Sequence, residues 1–340
     1  MARDPLLSFT SSGIYCPAGD FHIDPWRPVP RALITHGHSD HARPGHTAYL
    51  ATHAAGPVIR HRLGPITLEG ISYAEPRRIG DVTVSFHPAG HVPGSAQIAV
   101  TRGGETWVVS GDYKTVADGL CEPFAPVPCH TFITECSFGL PVFHWQDQAE
   151  IAGQINQWWA ANAADGRVSI IGAYALGKAQ RIMSMINPAI GPILMHGAVA
   201  TMTDILRAQG YPLPAAHLVT PATTRATHPG ALVLAPPSAL GSAWAARFAP
   251  AAEATASGWM ALRGIRRRRG TTTGFVLSDH ADWPALNAAI RATGASRVLV
   301  THGYTAAFRQ WLAHQGYDAG IVETAFAGDG EDPDLIEPPE

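Results

Sequence analysis

Charge is what this sequence has least of: 15% of its 340 residues are Asp, Glu, Lys or Arg, against roughly 25% in an average soluble domain. Lysine is nearly absent, with Lys114 and Lys178 as the only two. The net charge of -3 gives no global field for holding a polyanion, so a nucleic-acid role must rest on a local patch. Cysteine is scarce too: Cys16, Cys121, Cys129 and Cys136 have no C-x-x-C spacing, which excludes a zinc knuckle of that kind and reads as four reduced thiols. No long apolar run occurs. The Ala-rich stretch from Ala239 to Ala261 is broken by Arg247, Pro250 and Glu253, and Met1 to Pro17 has no apolar core behind a basic start. Neither a membrane span nor a signal peptide is read, and a cytoplasmic protein is expected.

What the chain does have is a hydrophobic content of 46%, enough to bury a large core, and 17 histidines. Neutral imidazole is the commonest protein metal ligand, so that excess in a charge-poor chain is the first pointer to function.

Organisation follows from periodicity. From Arg31 to about Glu135 the pattern is short apolar runs ending in polar clusters. Val82, Val84 and Phe86 alternate as in a half-buried strand, and the runs 97–101 and 106–110 flank Gly103-Gly104 as a hairpin. After about Phe138 strands alternate with helices: strand 168–172 before helix 175–186, strand 192–195 before helix 199–209, then strand 232–235. A third region resembles the first, with 274–277 before a helix from 282 to 292, and 297–301 before one from 304 to 314. These boundaries predict residues 139–270 as an insertion within a domain formed by 1–138 and 271–328, followed by a frayed acidic tail, 329–340.

The strongest signal is Ile34-Thr35-His36-Gly37-His38-Ser39-Asp40-His41, where an apolar run ends in three histidines and a carboxylate. A catalytic zinc takes about three protein ligands, so this loop can begin two adjacent metal sites. His91 in Pro88-Ala89-Gly90-His91, Asp112 in Ser110-Gly111-Asp112, His280 in Leu277-Ser278-Asp279-His280 and His302 in Val300-Thr301-His302-Gly303 each follow an apolar, strand-like run. Singly, each reads as well as a surface or capping residue. Their shared placement at strand ends makes them ligand candidates.

These motifs, in this order, resemble the metallo-β-lactamase-fold nucleases of the β-CASP branch, and within it the bacterial ligase-associated DNA exonucleases. The resemblance spans nearly the whole chain and includes Phe21-His22-Ile23-Asp24, Thr134-Glu135-Cys136 and the helix opening Ala175-Leu176-Gly177-Lys178-Ala179-Gln180-Arg181. It implies an α/β fold: a metallo-β-lactamase αββα sandwich with an inserted β-CASP domain at 139–270. It also implies that His36, His38 and His91 hold one divalent metal, that Asp40, His41 and His302 hold a second, and that Asp112 bridges the two. His280 would be the general acid or a phosphate contact oriented by Glu135, and Asp24 would hold the ligand loop. Zinc is favoured by the imidazoles, with manganese also suited to mixed nitrogen and carboxylate donors. The activity implied is phosphodiester hydrolysis in DNA repair beside a ligase or helicase. Members acting on DNA often carry Val where His302 stands and members acting on RNA carry His, so a ribonuclease is the alternative; a small-molecule metallohydrolase is another.

The chemistry agrees with that assignment. Phosphodiester hydrolysis requires a strong nucleophile at neutral pH and charge compensation on the attacking and leaving oxygens, which two metals about 3.5–4 Å apart provide. A histidine outside the ligand set can then protonate the leaving oxygen.

For substrate, Arg263-Gly264-Ile265-Arg266-Arg267-Arg268-Arg269 stands out in so weakly charged a chain. Arg266, Arg267, Arg268 and Arg269 are expected to grip phosphates and stack on unpaired bases, although a solvated loop at a domain junction has the same composition. Tyr113 and Lys114, directly after Asp112, are further substrate candidates. Lys178 and Arg181, one helical turn apart, read as a solvated or domain-facing pair. Trp158, Trp159, Trp244, Trp259 and Trp283 read as core, and His46, His53, His87, His144 and His196 as structural or surface residues.

Overall fold

The computed structural model describes residues 5–262, 264 and 273–322. They form a mixed α/β structure in two compact units, the first made of described residues within 1–117, 121–144 and 280–331, the second of those within 118–120 and 145–279.

In the first unit, strands β1 (Ser8–Thr10), β2 (Gly13–Cys16), β3 (Phe21–Ile23), β4 (Arg31–Leu33), β5 (Ala48–Thr52) and β6 (Leu68–Ile71) lie side by side in chain order as one sheet. A second sheet begins with β7 (Arg77–Ile79), β8 (Val82–Pro88), β9 (Ala96–Arg102), β10 (Glu105–Val109) and β11 (Thr131–Cys136). In β8 the side chains of Val82, Val84 and Phe86 are buried while Thr83 is exposed, the period-2 alternation of a strand with one face on a core. The hairpin closing over Gly103-Gly104 pairs Arg102 with Glu105.

The chain then enters the second unit, where β12 (Val168–Gly172), β13 (Ile193–Met195), β14 (His217–Leu218), β15 (Leu232–Ala235), β16 (Ala251–Ala256) and β17 (Thr273–Phe275) form a sheet in the order β14-β13-β15-β12-β16-β17. Every pair in it is parallel. Its centre, β12, is buried along its whole length, as expected for a parallel strand covered on both faces. Ile171 packs with Ile155, Trp159, Ile182 and Val199 from the helices Gln148–Ala164, Lys178–Met185 and Gly197–Ala208. Ile170 packs the other way, toward Ala245 and Phe248.

Lys178 and Arg181 are not solvated. They are 2% and 5% exposed, and Asp279 takes Arg181 Nη1 at 3.0 Å with Lys178 Nζ at 3.8 Å. Buried charge of this kind persists only when paired, and the partner lies about a hundred residues away in sequence, which local periodicity does not reveal. Trp159 is fully buried, its indole N–H donating to Gly230 O. His196 caps the helix Gly197–Ala208, its Nδ1 accepting from Ala198 N.

Back in the first unit, β18 (Arg297–Gly303) and β19 (Asp318–Ile321) complete the second sheet in the order β19-β18-β11-β10-β9-β8-β7. The two sheets share one core that includes Ile23, Leu33, Phe86, Val100, Ile133 and Leu299. On the outside, helix Gly56–Leu63 packs on the first sheet through Ile59, and helices Trp283–Thr293 and Thr305–His314 pack on the second through Leu286 and Phe308. The unit is therefore layered helix, sheet, sheet, helix. Because β8, β10, β11 and β18 run in one direction, their C-terminal ends meet along a single edge, the usual place for function in open α/β sheets. Among the described residues no helix is long and apolar enough to cross a membrane.

Candidate metal centre

That edge is where the sequence places its polar residues. His91 follows β8, Asp112 follows β10, and Glu135 and His302 lie in the last turns of β11 and β18. From the first sheet, the loop after β4 delivers His36, His38, Asp40 and His41. It bends back through amides of His41 and Ala42 that donate to His38 O, and Arg62 pins it by donating to Gly37 O at 2.6 Å.

His38 Nδ1 lies 3.1 Å from both His36 Nε2 and His91 Nε2. Asp112 Oδ2 is 3.7 Å from His36 Nε2, 3.8 Å from His91 Nε2 and 3.4 Å from His41 Nε2. Donors about 2.0–2.1 Å from a tetrahedral zinc stand roughly 3.3 Å from one another, so these separations are compatible with metal binding. Four overlapping donor groups result: His36, His38, His91 and Asp112; His36, Asp40 and His41; His41, Asp112 and His302; and Asp112, Glu135 and His280. These buried clusters can bind metal ions.

The donor atoms are set by what lies behind them. Asp24 Oδ2 accepts from His41 Nδ1–H at 2.7 Å and from the Thr35 hydroxyl at 2.6 Å, while Asp24 Oδ1 accepts from Thr35 N at 2.8 Å. With its proton given to Asp24, the Thr35 hydroxyl accepts from His36 Nδ1–H at 3.1 Å. Both imidazoles thus turn Nε2 inward as the lone-pair nitrogen. Thr35, which lies between the apolar run and His36 in sequence, links Asp24 to His36 through its hydroxyl. Gly111, at φ +55, makes room for it: a Cβ there would come within 2.7 Å of the Thr35 side chain.

Electrostatics match the geometry. Burial, together with neighbouring His41 and His91, holds His36 well below the usual histidine range, which favours the neutral imidazole that a metal site requires. Burial also opposes charge on His41, but Asp40, Asp112 and Asp24 together outweigh it and raise His41 well above that range. Asp40 and Asp112, despite burial, are held low, chiefly by His41. Two ionised carboxylates in one buried site call for a cation, and protonated His41 plays that part where no metal is bound. His41 Nε2, although buried, has no hydrogen-bond partner among the described residues.

Glu135 is fully buried. Its Oε1 accepts from Tyr113 N at 2.8 Å, and both its oxygens lie 3.0 Å from His280 Nδ1. Tyr113 O in turn accepts from Ala281 N at 2.7 Å, so the backbone beside Asp112 fastens the His280 segment to Glu135. Tyr113 itself is buried, its ring stacked on Phe124 and its hydroxyl 3.0 Å from Thr134 Oγ1, a core side chain with no face toward solvent. Lys114 is 3% exposed, with its amide on Ala89 O. Arg266, Arg267, Arg268 and Arg269 lie outside the described residues. His302 and Asp24 occupy left-handed backbone, at φ +53 and +43, a strain of roughly 1–3 kcal/mol each that surrounding structure must hold.

No protein-family model matches the chain. It is 29% identical over 315 residues, 92% of its length, to a probable DNA ligase of Opitutus terrae, of which the match spans 30%. It is 28% identical over 140 residues, 40% of its length, to an uncharacterized protein in the lig 3′ region of Acidianus ambivalens, covering 95% of that protein. In structure it is similar to a crystal structure of a protein of unknown function from Enterococcus faecalis V583, with a TM-score of 0.61 at 10% identity over 86% of this chain and 79% of that one, a likeness of fold alone.

Proposed function

We propose that this protein is a two-metal nuclease of the metallo-β-lactamase fold, β-CASP branch, that hydrolyses phosphodiester bonds in DNA as an exonuclease working beside a DNA ligase. The observation that carries the reading is Asp112 Oδ2, which stands 3.4–3.8 Å from His36, His41 and His91 at once, so that one carboxylate is in reach of both proposed ligand sets. His36, His38 and His91 would hold one divalent metal, and Asp40, His41 and His302 the other, with zinc favoured by the imidazoles and manganese the next choice. The ligase-named relatives support DNA as substrate, and residues 139–270 would be the inserted β-CASP domain.

Bound there, the metals supply Lewis acidity toward the phosphodiester and its attacking water. The chain supplies the rest. Glu135 takes the Nδ1 proton of His280 in a hydrogen bond, which orients the ring and assigns proton donation toward the leaving oxygen to Nε2. Asp24 and Thr35 keep the ligand nitrogens directed inward. The arginines 266–269 would grip the phosphate backbone.

The test is incubation of the purified chain, chelated and then resupplied with zinc or manganese, with end-labelled single-stranded DNA, duplex DNA and RNA. Progressive shortening of DNA is expected. Preferential cleavage of RNA would move the assignment to the ribonucleases of the branch, and no cleavage of any of the three would overturn it.

A further inference from the structure

β11 and β18 pair in parallel as far as Glu135 and Thr301, and then Cys136 pairs with Gly303. His302 is the extra residue, thrown out of the ladder as a β-bulge. Its backbone sits at φ +53, which takes its carbonyl out of the regular ladder. That carbonyl is met by the buried thiol of Cys136, whose Sγ donates to His302 O at 3.0 Å and lies 3.6 Å from Thr301 O. The backbone of the same residue closes the bulge from the other side, Cys136 O accepting from Tyr304 N at 3.2 Å. Gly303 has no spare room against it: a Cβ there would fall 2.4 Å from Cys136 O and from Ser137 Cα.

We propose that Cys136 is a positioning residue for His302, fixing through its thiol and carbonyl the bulge that presents the imidazole beside His41 and Asp112. The proposal rests on the reading of Asp40, His41 and His302 as a metal set. It is selective by construction. His36, His38 and His91 stand on other elements, so loss of the Cys136 bond bears on one metal and leaves the other. A thiol is a weak donor, but here it meets the carbonyl of the bulged residue itself, and an acceptor left without a partner costs stability. Valine removes the donor while filling the buried site, at the cost of one extra γ carbon; serine keeps a donor on a shorter arm.

The experiment titrates chelator-stripped full-length wild type, Cys136→Val, Cys136→Ser and His302→Ala with zinc, counting bound metal by elemental analysis and measuring affinity against a chromophoric chelator. Wild type is expected to bind two equivalents. Cys136→Val should keep one at wild-type affinity and bind the other at least tenfold more weakly, the same equivalent that His302→Ala loses, with Cys136→Ser in between. Melting of the metal-free proteins reports folding; if the valine variant does not fold, Cys136→Ala, which removes the donor without adding bulk, is read in its place. Two equivalents at wild-type affinity in the donor-less variant, or equal weakening of both, would overturn the proposal. A wild-type protein that takes up no metal would instead overturn the metal-site reading beneath it.

Discussion

Asp24 Oδ2 and His41 Nδ1 stand 2.7 Å apart, and the same carboxylate oxygen holds the Thr35 hydroxyl that supports His36. One side chain therefore orients a donor in each of the two ligand groups. Asp24→Asn is expected to weaken both equivalents of bound zinc by roughly 10–100-fold, the usual effect of losing an outer carboxylate. Thr35→Val should weaken chiefly the equivalent held by His36. Chelator competition separates the two outcomes, and an Asp24→Asn protein with unaltered zinc affinity would remove this carboxylate from the metal centre.

Asp112 and His280 should separate binding from chemistry. Asp112→Ala takes away the oxygen shared by His36, His41 and His91 and is expected to lose metal and activity together. His280→Ala should retain both metals while cleavage slows by about 10²–10⁴-fold, the range of a lost general acid. Loss of a full metal equivalent in His280→Ala, measured by elemental analysis, would make it a ligand.

Chelation should destabilise the first unit. A ligand at 100 times its dissociation constant stabilises a fold by about 2.7 kcal/mol, and about 1 kcal/mol shifts the melting point by roughly 2–4 °C in a domain of this size. Stripping the metals is thus expected to lower the melting temperature by about 5–10 °C, with zinc restoring it. Calorimetry with and without chelator checks this, and an unmoved transition would argue against buried metal sites.

The arginine run predicts a shallow salt response. With two to four phosphates neutralised, log affinity for single-stranded DNA against log salt should have a slope of about -1.5 to -3. Replacing Arg266–Arg269 by alanine should flatten that slope and raise KM while leaving bound metal unchanged.

How much of this was legible in advance depended on whether a signal was local. The alternation of Val82, Val84 and Phe86 marked β8 because one face of that strand lies on the core. The run 168–172 matched β12 residue for residue. The helix read from Ala175 starts only at Lys178, since Gly177 N–H is taken by Gln180 Oε1 as a cap. The 17-residue helix Gln148–Ala164 and the strand Ala251–Ala256 were missed, the first because apolar and polar residues mix around its faces, the second because alanine has little strand preference. Around the site, the histidines and aspartates were conspicuous in sequence, whereas Thr35, the Tyr113 amide and Cys136 act through neighbours that only the folded chain supplies. The same holds for Lys178 and Arg181, whose buried partner Asp279 comes from the far end of their unit.

The pairing of β11 with β18 also has a consequence for biosynthesis. Cys136 and Gly303 are neighbours in one ladder, yet a ribosome must translate residues 145–279 of the second unit between them. Lengthening a loop adds little to its closure entropy, about 0.6 kcal/mol per doubling, so the finished sheet tolerates the interruption. The nascent chain is less well placed: until residue 303 emerges, β11 is an open edge and the proposed second metal lacks His302. A product truncated before β18 should be both inert and prone to aggregate. The proposed second metal set would therefore stay incomplete until the chain has been synthesised through β18.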